Sequence, residues 1–234
     1  MAKSRYNKSL TVILVIVIIA IVGLLIYFGI DVYRKYYIEK EAGDAVKQFE
    51  DQINEIASIS GGAGGIDGNT TPIDVNGIFD DKGNSTSDDS GNREGSGVKY
   101  KGYDVLGIIE IPATDVKYPI IADYEMSIDA MNKAIVKMYP GTINLNEVGN
   151  TVFVGHNYHD GTFFSNNKRL ENGDKIYITD NTGRKVTYEI YKKYETSTSD
   201  SEYMTRDTNG KREISLSTCT DDTKMRLIIW AREV

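Results

Sequence analysis

Three side chains in the C-terminal half could together perform acyl transfer: His156, Cys219 and Arg226. Each stands at one end of an apolar, β-branched run. His156 follows Thr151-Val152-Phe153-Val154-Gly155, Cys219 follows Ile214-Ser215-Leu216-Ser217-Thr218, and Arg226 opens Leu227-Ile228-Ile229-Trp230-Ala231. A cysteine attacks as the thiolate, and a neighbouring histidine or arginine lowers its pKa or hands a proton to the leaving group. Arginine, always charged and rich in donors, suits an oxyanion developing on a carbonyl. Each residue has a plainer role open to it: Cys219 as a small buried hydrophobe, His156 as a satisfied loop histidine, Arg226 as a solvated strand-end charge. Their joint occurrence is what points to chemistry. Cys219 is also the sole cysteine, so no intramolecular disulfide can form, and a lone thiol in an exported chain suggests a reactive group or an intermolecular pair.

Two local rivals need weighing. Arg232 lies six residues beyond Arg226, and an even offset on one strand can put both on the same face. His159 lies in the turn-like segment Asn157-Tyr158-His159-Asp160-Gly161. A metal held by His156 and His159 would lack a convincing third ligand.

These residues need a rigid body outside the membrane, and the rest of the sequence is organised accordingly. Leu10–Ile30 is 21 residues without a charge. At about 1.5 Å per residue it spans roughly 30 Å, the thickness of a bilayer core. It is too long for the apolar region of a cleaved signal peptide, and no small-residue cleavage site follows. Basic residues tie across the span, with Lys3, Arg5 and Lys8 before it and Arg34, Lys35 and Lys40 after it. The α-amino group and the short tail 1–9 favour an N-terminus inside, hence a single-pass protein with its C-terminal body outside. Over 31–60 the apolar residues Ala42, Val46, Phe49, Ile53, Ile56 and Ala57 recur at helical steps, predicting an amphipathic helical stalk. Segment 61–97 is rich in Gly, Ser, Asn and Asp, with seven acidic residues against two basic ones. That composition predicts a disordered, flexible acidic linker.

Only 98–234 can bury a core. Short strand-like runs fill it: Val105–Ile111, Thr151–Val154, Lys175–Thr179, Lys185–Tyr191, Glu213–Leu216 and Leu227–Ala231, with a turn at Asn181-Thr182-Gly183. Ser127–Met138 is the one good helical pattern, with Ser127 as N-cap and Pro140-Gly141 as its stop. Many short strands with few helices predict a mostly β, closed barrel or sandwich. Its net charge is only slightly negative, which gives no support to a nucleic-acid role.

At this point the chain resembles the sortase family. The resemblance is carried by Gly155-His156-Asn157, Leu216-Ser217-Thr218-Cys219 and Arg226-Leu227-Ile228-Ile229-Trp230-Ala231. Ser215 replaces the first Thr of the family's Thr-Leu-x-Thr-Cys signature. Gly107-Ile108-Ile109-Glu110-Ile111-Pro112, Tyr118-Pro119-Ile120, Gly149-Asn150-Thr151-Val152 and Gly173-Asp174-Lys175-Ile176 support it in the expected order, so that it covers about Lys101–Val234. It implies a closed eight-stranded barrel with one or two short helices, in the cell membrane of a Gram-positive-type cell. Cys219 would attack the Thr carbonyl of a Leu-Pro-x-Thr-Gly-like sorting signal on a surface protein, forming a thioacyl enzyme. His156 would protonate the departing amine and deprotonate the incoming one, from a peptidoglycan precursor or a pilin. Arg226 would hold the oxyanion, with the Thr220 amide as a second donor. In the family the arginine precedes the apolar strand, as Arg226 does and Arg232 does not.

No cofactor is required on this resemblance. Some sortases bind calcium through acidic loops, and no matching positions are recognisable here. His156 and Cys219 are only 63 positions apart, too close for the extra helix of class B. No Asp-Pro-aromatic lid occurs in the linker and no second span precedes Val234, unlike many pilus-building members. A compact class A, D or E type is expected. The alternatives are an L,D-transpeptidase-like peptidoglycan enzyme, whose histidine would lie two residues before the cysteine, and an anchored wall-binding domain with an inert Cys219.

Overall fold

The computed structural model describes residues 2–60, 96–122, 127–141 and 144–234. Nearly all of the expected acidic linker, 61–95, therefore lies outside the described residues. Helix α1, Ala2–Ser60, is continuous through the apolar stretch and the amphipathic segment after it. Its apolar residues from Leu10 to Ile30 are exposed and long enough to cross a bilayer, making it a candidate membrane anchor.

The strands are β1 (Lys99–Tyr100), β2 (Tyr103–Ile111), β3 (Val116–Ala122), β4 (Ile135–Tyr139), β5 (Gly149–Val154), β6 (Lys175–Asp180), β7 (Lys185–Ser197), β8 (Arg212–Cys219) and β9 (Met225–Glu233). They pair in the order β2-β3-β4-β5-β8-β9-β7-β6, and β6 pairs back onto β2, closing an eight-stranded barrel. The two-residue β1 adds to the edge of β2. Closure gives each of the eight barrel strands β2–β9 a partner on both sides. Most neighbours are antiparallel, but β3–β4 and β5–β8 are parallel, and the second of these parallel contacts builds the site.

Sheet β6 reads as a one-sided strand: Ile176, Ile178 and Asp180 are buried, while Lys175, Tyr177 and Thr179 are half-buried outside. Strand β2 shows no such alternation, and Val105, Leu106, Ile108 and Ile109 are all buried. One face lines the barrel interior, and α1 packs against β2 and β3 from outside. Ala42, Ala45, Val46 and Phe49 of α1 are buried in the same core as β2 and β3, and Lys117 pairs with Glu50 at 2.8 Å. Within the 31–60 segment, expected as an amphipathic helical stalk, the apolar face from Ala42 to Phe49 packs along the barrel. Gly107 is required where β2 meets β6, because a Cβ there would lie 2.2 Å from the Thr179 carbonyl oxygen.

The helical expectation for Ser127–Met138 needs correction. Ser127 does cap a helix, its Oγ accepting from the Ala130 amide at 3.1 Å. That helix, α2, ends at Lys133, and Ile135–Tyr139 forms β4 between β3 and β5. The pairing partners on both sides override a period that α2 shares for only one turn and a half.

Candidate functional site

Strands β8 and β9 are joined by a tight turn, and their last register pair is Cys219 opposite Arg226. Cross-strand partners present their side chains on one face with Cβ atoms about 4.5–5.5 Å apart. On the other side β5 runs parallel to β8, with Val154 beside Ser217. Gly155 keeps the register by donating its amide to the Ser217 carbonyl at 3.3 Å. Two residues past Val154, His156 is carried to the level of Cys219, two residues past Ser217. Three residues distant in sequence therefore lie at the same end of three consecutive strands. Arg226 also faces Thr196 of β7, and its Nε donates to the Thr198 carbonyl at 3.4 Å. Cys219 is half-buried rather than sealed in the core.

The chain just after β5 is shaped by small and polar residues. A Cβ on Gly155 would lie 2.8 Å from the Phe164 ring, so only glycine lets the loop 156–164 fold back on itself. The Phe164 amide closes that loop by donating to the His156 carbonyl at 3.1 Å. The His156 ring lies 4.9 Å from that of Tyr158, and its Nε2 is 3.0 Å from Asn132 Oδ1 on α2. An amide oxygen only accepts, so Nε2 carries the proton of the neutral ring and Nδ1 keeps its lone pair. Partial burial lowers the His156 pKa below the ordinary histidine value, since desolvation disfavours the charged ring.

Asn157 ties the histidine loop to the cysteine strand. Its Nδ2 donates to the Cys219 carbonyl at 3.2 Å and to Asp221 Oδ1 at 2.9 Å. Asp221 in turn receives Lys168 at 2.5 Å, and first the Lys168 ammonium, then the Asn157 amide, hold its carboxyl below the usual range. His159, at φ 60°, turns to Asp221 at 3.5 Å and so joins this clamp. Asn132, Asn157, Tyr158 and Asp221 were not legible as site residues. Only Asn157 carried any signal, as the third residue of Gly155-His156-Asn157.

Arg232 is committed elsewhere. Its register partner is Glu213 near the start of β8, and its Nε donates to Glu213 Oε1 at 2.6 Å. Glu213 is almost fully buried, and burial pushes its carboxyl up. Hydrogen bonds from Tyr191, Arg206 and Arg232 outweigh that and hold it below the usual range. Arg206 also reaches Asn150 Oδ1 at 3.0 Å, anchoring the loop that precedes β8 to β5. The expectation that Thr220 offers its amide to the oxyanion is corrected too. That amide donates to the Met225 carbonyl at 3.0 Å and closes the β8–β9 turn. Among the described residues no group of three or more His, Cys, Asp or Glu side chains is placed to hold a metal ion.

A half-exposed thiol, a cross-strand guanidinium and a neighbouring imidazole at one mouth of a closed barrel define a candidate nucleophilic acyl-transfer site. The sortase domain family model matches residues 109–234, more than half of the chain, and the protein belongs to that family, whose members are cysteine transpeptidases. No curated protein matches the sequence. Among solved structures it is similar to a sortase D5 transpeptidase of Clostridium perfringens, with 28% identity and TM-score 0.50 over 56% of this chain and 79% of that one. A lid mutant of sortase A from Corynebacterium diphtheriae shares 26% identity at TM-score 0.50, covering 56% and 71%. A pilus-related sortase C of Group B Streptococcus shares 25% at TM-score 0.50, covering 56% and 67%. These relatives are of D, A and C types alike, so the likeness singles out no subclass.

Proposed function

We propose that the chain is a single-pass, membrane-anchored sortase of the compact class A, D or E type that cleaves an LPxTG-like sorting signal. Cys219 is the nucleophile. His156 takes up the thiol proton as the Cys219 sulfur attacks the threonine carbonyl carbon; a C–S bond forms, the C–N bond to the next residue breaks, and the His156 imidazolium passes that proton to the departing amine. The incoming amine, from a peptidoglycan precursor or a pilin, then attacks the thioester. A new C–N bond forms, the C–S bond breaks, and His156 takes up the amine's proton. Arg226 holds the carbonyl oxygen as it gains negative charge in both steps. With the Thr220 amide engaged in the turn, Arg226 carries that task without it. No cofactor enters this scheme. Leu10–Ile30 spans the membrane, and the barrel lies on the outer face of a Gram-positive-type cell.

The observation that carries this proposal is the Cys219–Arg226 cross-strand pair beside the end of β5. This register supports the assignment of Cys219, Arg226 and His156 to one end of neighbouring strands. The test uses the full chain in detergent with a Leu-Pro-x-Thr-Gly peptide and an amine acceptor, read by mass spectrometry. A thioacyl adduct on Cys219 and an amine-capped product are expected. Cys219→Ala should form neither while keeping the wild-type circular dichroism spectrum. Substantial turnover by Cys219→Ala would eliminate the covalent scheme.

A further inference from the structure

Helix α1 fixes where the barrel sits above the bilayer. Its exposed apolar stretch ends at Ile30. Arg34 comes four residues later, a rise of about 6 Å, and its guanidinium carbon lies 4.8 Å from the centre of the Tyr158 ring. The Tyr158 ring is 4.9 Å from the ring of His156. The next helix residue, Lys35, places its Nζ 3.0 Å from where a Cβ on Gly161 would stand. The catalytic loop is thus held by the first turn of helix past the span. At the opposite end, the Ile53 side chain lies 2.6 Å from where a Cβ on Gly183 would stand, in the β6–β7 turn. Ile53 is about 35 Å along the helix from Ile30. Ala42, Ala45, Val46 and Phe49, all buried between these two contacts, lock the arrangement along the whole side of the barrel.

We propose that the barrel's His156–Cys219 face rests on the phospholipid headgroup layer, while the β6–β7 turn points away. The headgroup region adds about 5–8 Å on each side of the hydrocarbon core, which is the height at which Arg34 meets Tyr158. The residues at this level suit that layer. Tyr27, Phe28, Tyr33, Tyr36 and Tyr37 are exposed around the helix, and such rings favour the interface. Arg34 and Lys35 add positive charge, attractive to anionic lipids. Lys101 lies over the Tyr37 ring at 5.4 Å, although it also pairs with Glu41. The inference rests on the anchor and function proposed above and adds an orientation: the site is fixed at the surface instead of floating on a tether.

The sole thiol makes this testable without turnover. The full chain, labelled with a fluorophore on Cys219, is inserted into phosphatidylcholine–phosphatidylglycerol vesicles containing a lipid with a headgroup contact quencher. The reference is Arg184→Cys in a Cys219→Ala chain, at the exposed β6–β7 turn. Quenching at Cys219 should exceed that at the reference roughly ten-fold, because Arg34 and Ile53 are separated by about 28 Å of helix. Seven residues inserted between Asp31 and Val32 lift the barrel by about 10 Å and rotate it by only about 20°. That chain should lose the excess quenching at Cys219. Equal quenching at the two positions, or no effect of the insertion, would overturn the orientation. Release of the labelled chain by an alkaline wash would overturn the anchor and the orientation together. Quenching as expected in the labelled chain, with no thioacyl adduct formed by the unlabelled chain, would sustain the orientation and remove the transpeptidase proposal alone.

Discussion

Substituting the two arginines of β9 separates catalysis from stability. Arg226 and Arg232 are six residues apart on one strand, about 20 Å at 3.3 Å per residue. One faces Cys219 and the other faces buried Glu213. Removing an oxyanion donor typically costs about 10²–10³ in kcat, or about 2.7–4 kcal/mol. Arg226→Ala should fall in that range, and Arg226→Lys should also be impaired because an ammonium lacks the planar fork. Its melting temperature should barely move, since Arg226 makes one long bond to a loop carbonyl. Arg232→Ala should behave in the opposite way. The Glu213 side chain is 1% exposed, and losing one partner of a buried carboxylate costs about 1–3 kcal/mol. Arg232 is itself 42% exposed, and Arg206 and Tyr191 still serve Glu213, which places the loss at the low end. For a body of this size that is a fall of a few degrees, at about 2–4 °C per kcal/mol, with kcat near wild type. Cleavage of a fluorescent sorting-signal peptide and a thermal melt by circular dichroism measure both quantities on one preparation. If Arg232→Ala abolishes turnover while Arg226→Ala spares it, the assignment of the oxyanion holder is wrong.

Three further outcomes follow from particular contacts. The His156 ring should titrate below 6.5, with Nε2 protonated in the neutral form, by ¹⁵N nuclear magnetic resonance. Stripping its cover with Tyr158→Ala should move the midpoint upward, and a wild-type midpoint at or above 6.5 would contradict the burial. Phe49→Ala should cost about 3–5 kcal/mol of unfolding free energy, because its side chain is fully buried between α1 and the barrel; urea unfolding indistinguishable from wild type would mean the helix does not dock. Burial pushes the Lys137 ammonium down to about 8 from 10.5 while it donates to the Pro140 carbonyl. A folded-state pKa below the unfolded one means its charge costs stability at neutral pH, and that cost is shed as pH rises from 8 toward 10.5. Lys137→Met should therefore be more stable than wild type at pH 7 by about 2 kcal/mol, and the gap should narrow by pH 10. A gap independent of pH would assign the difference to packing.

The sequence by itself determined what depends on local pattern. The uncharged run Leu10–Ile30 needs no partner to declare its length, and period-two alternation marks strands such as β6. The ordered motifs around His156, Cys219 and Arg226 sufficed to point to the family. What distant partners settle could not be read. Ile135–Tyr139 follows a helical pattern yet becomes a strand, because β3 and β5 offer backbone partners on both sides. Arg226 and Arg232 look interchangeable on an even offset until the β8–β9 register puts one against Cys219 and the other against Glu213. The same register spends the Thr220 amide on closing the turn. The stripe from Ala42 to Ile53 announces an amphipathic helix but says nothing of what covers it. Only the folded chain shows that the barrel itself does, since the matching apolar surface comes from residues more than fifty positions away.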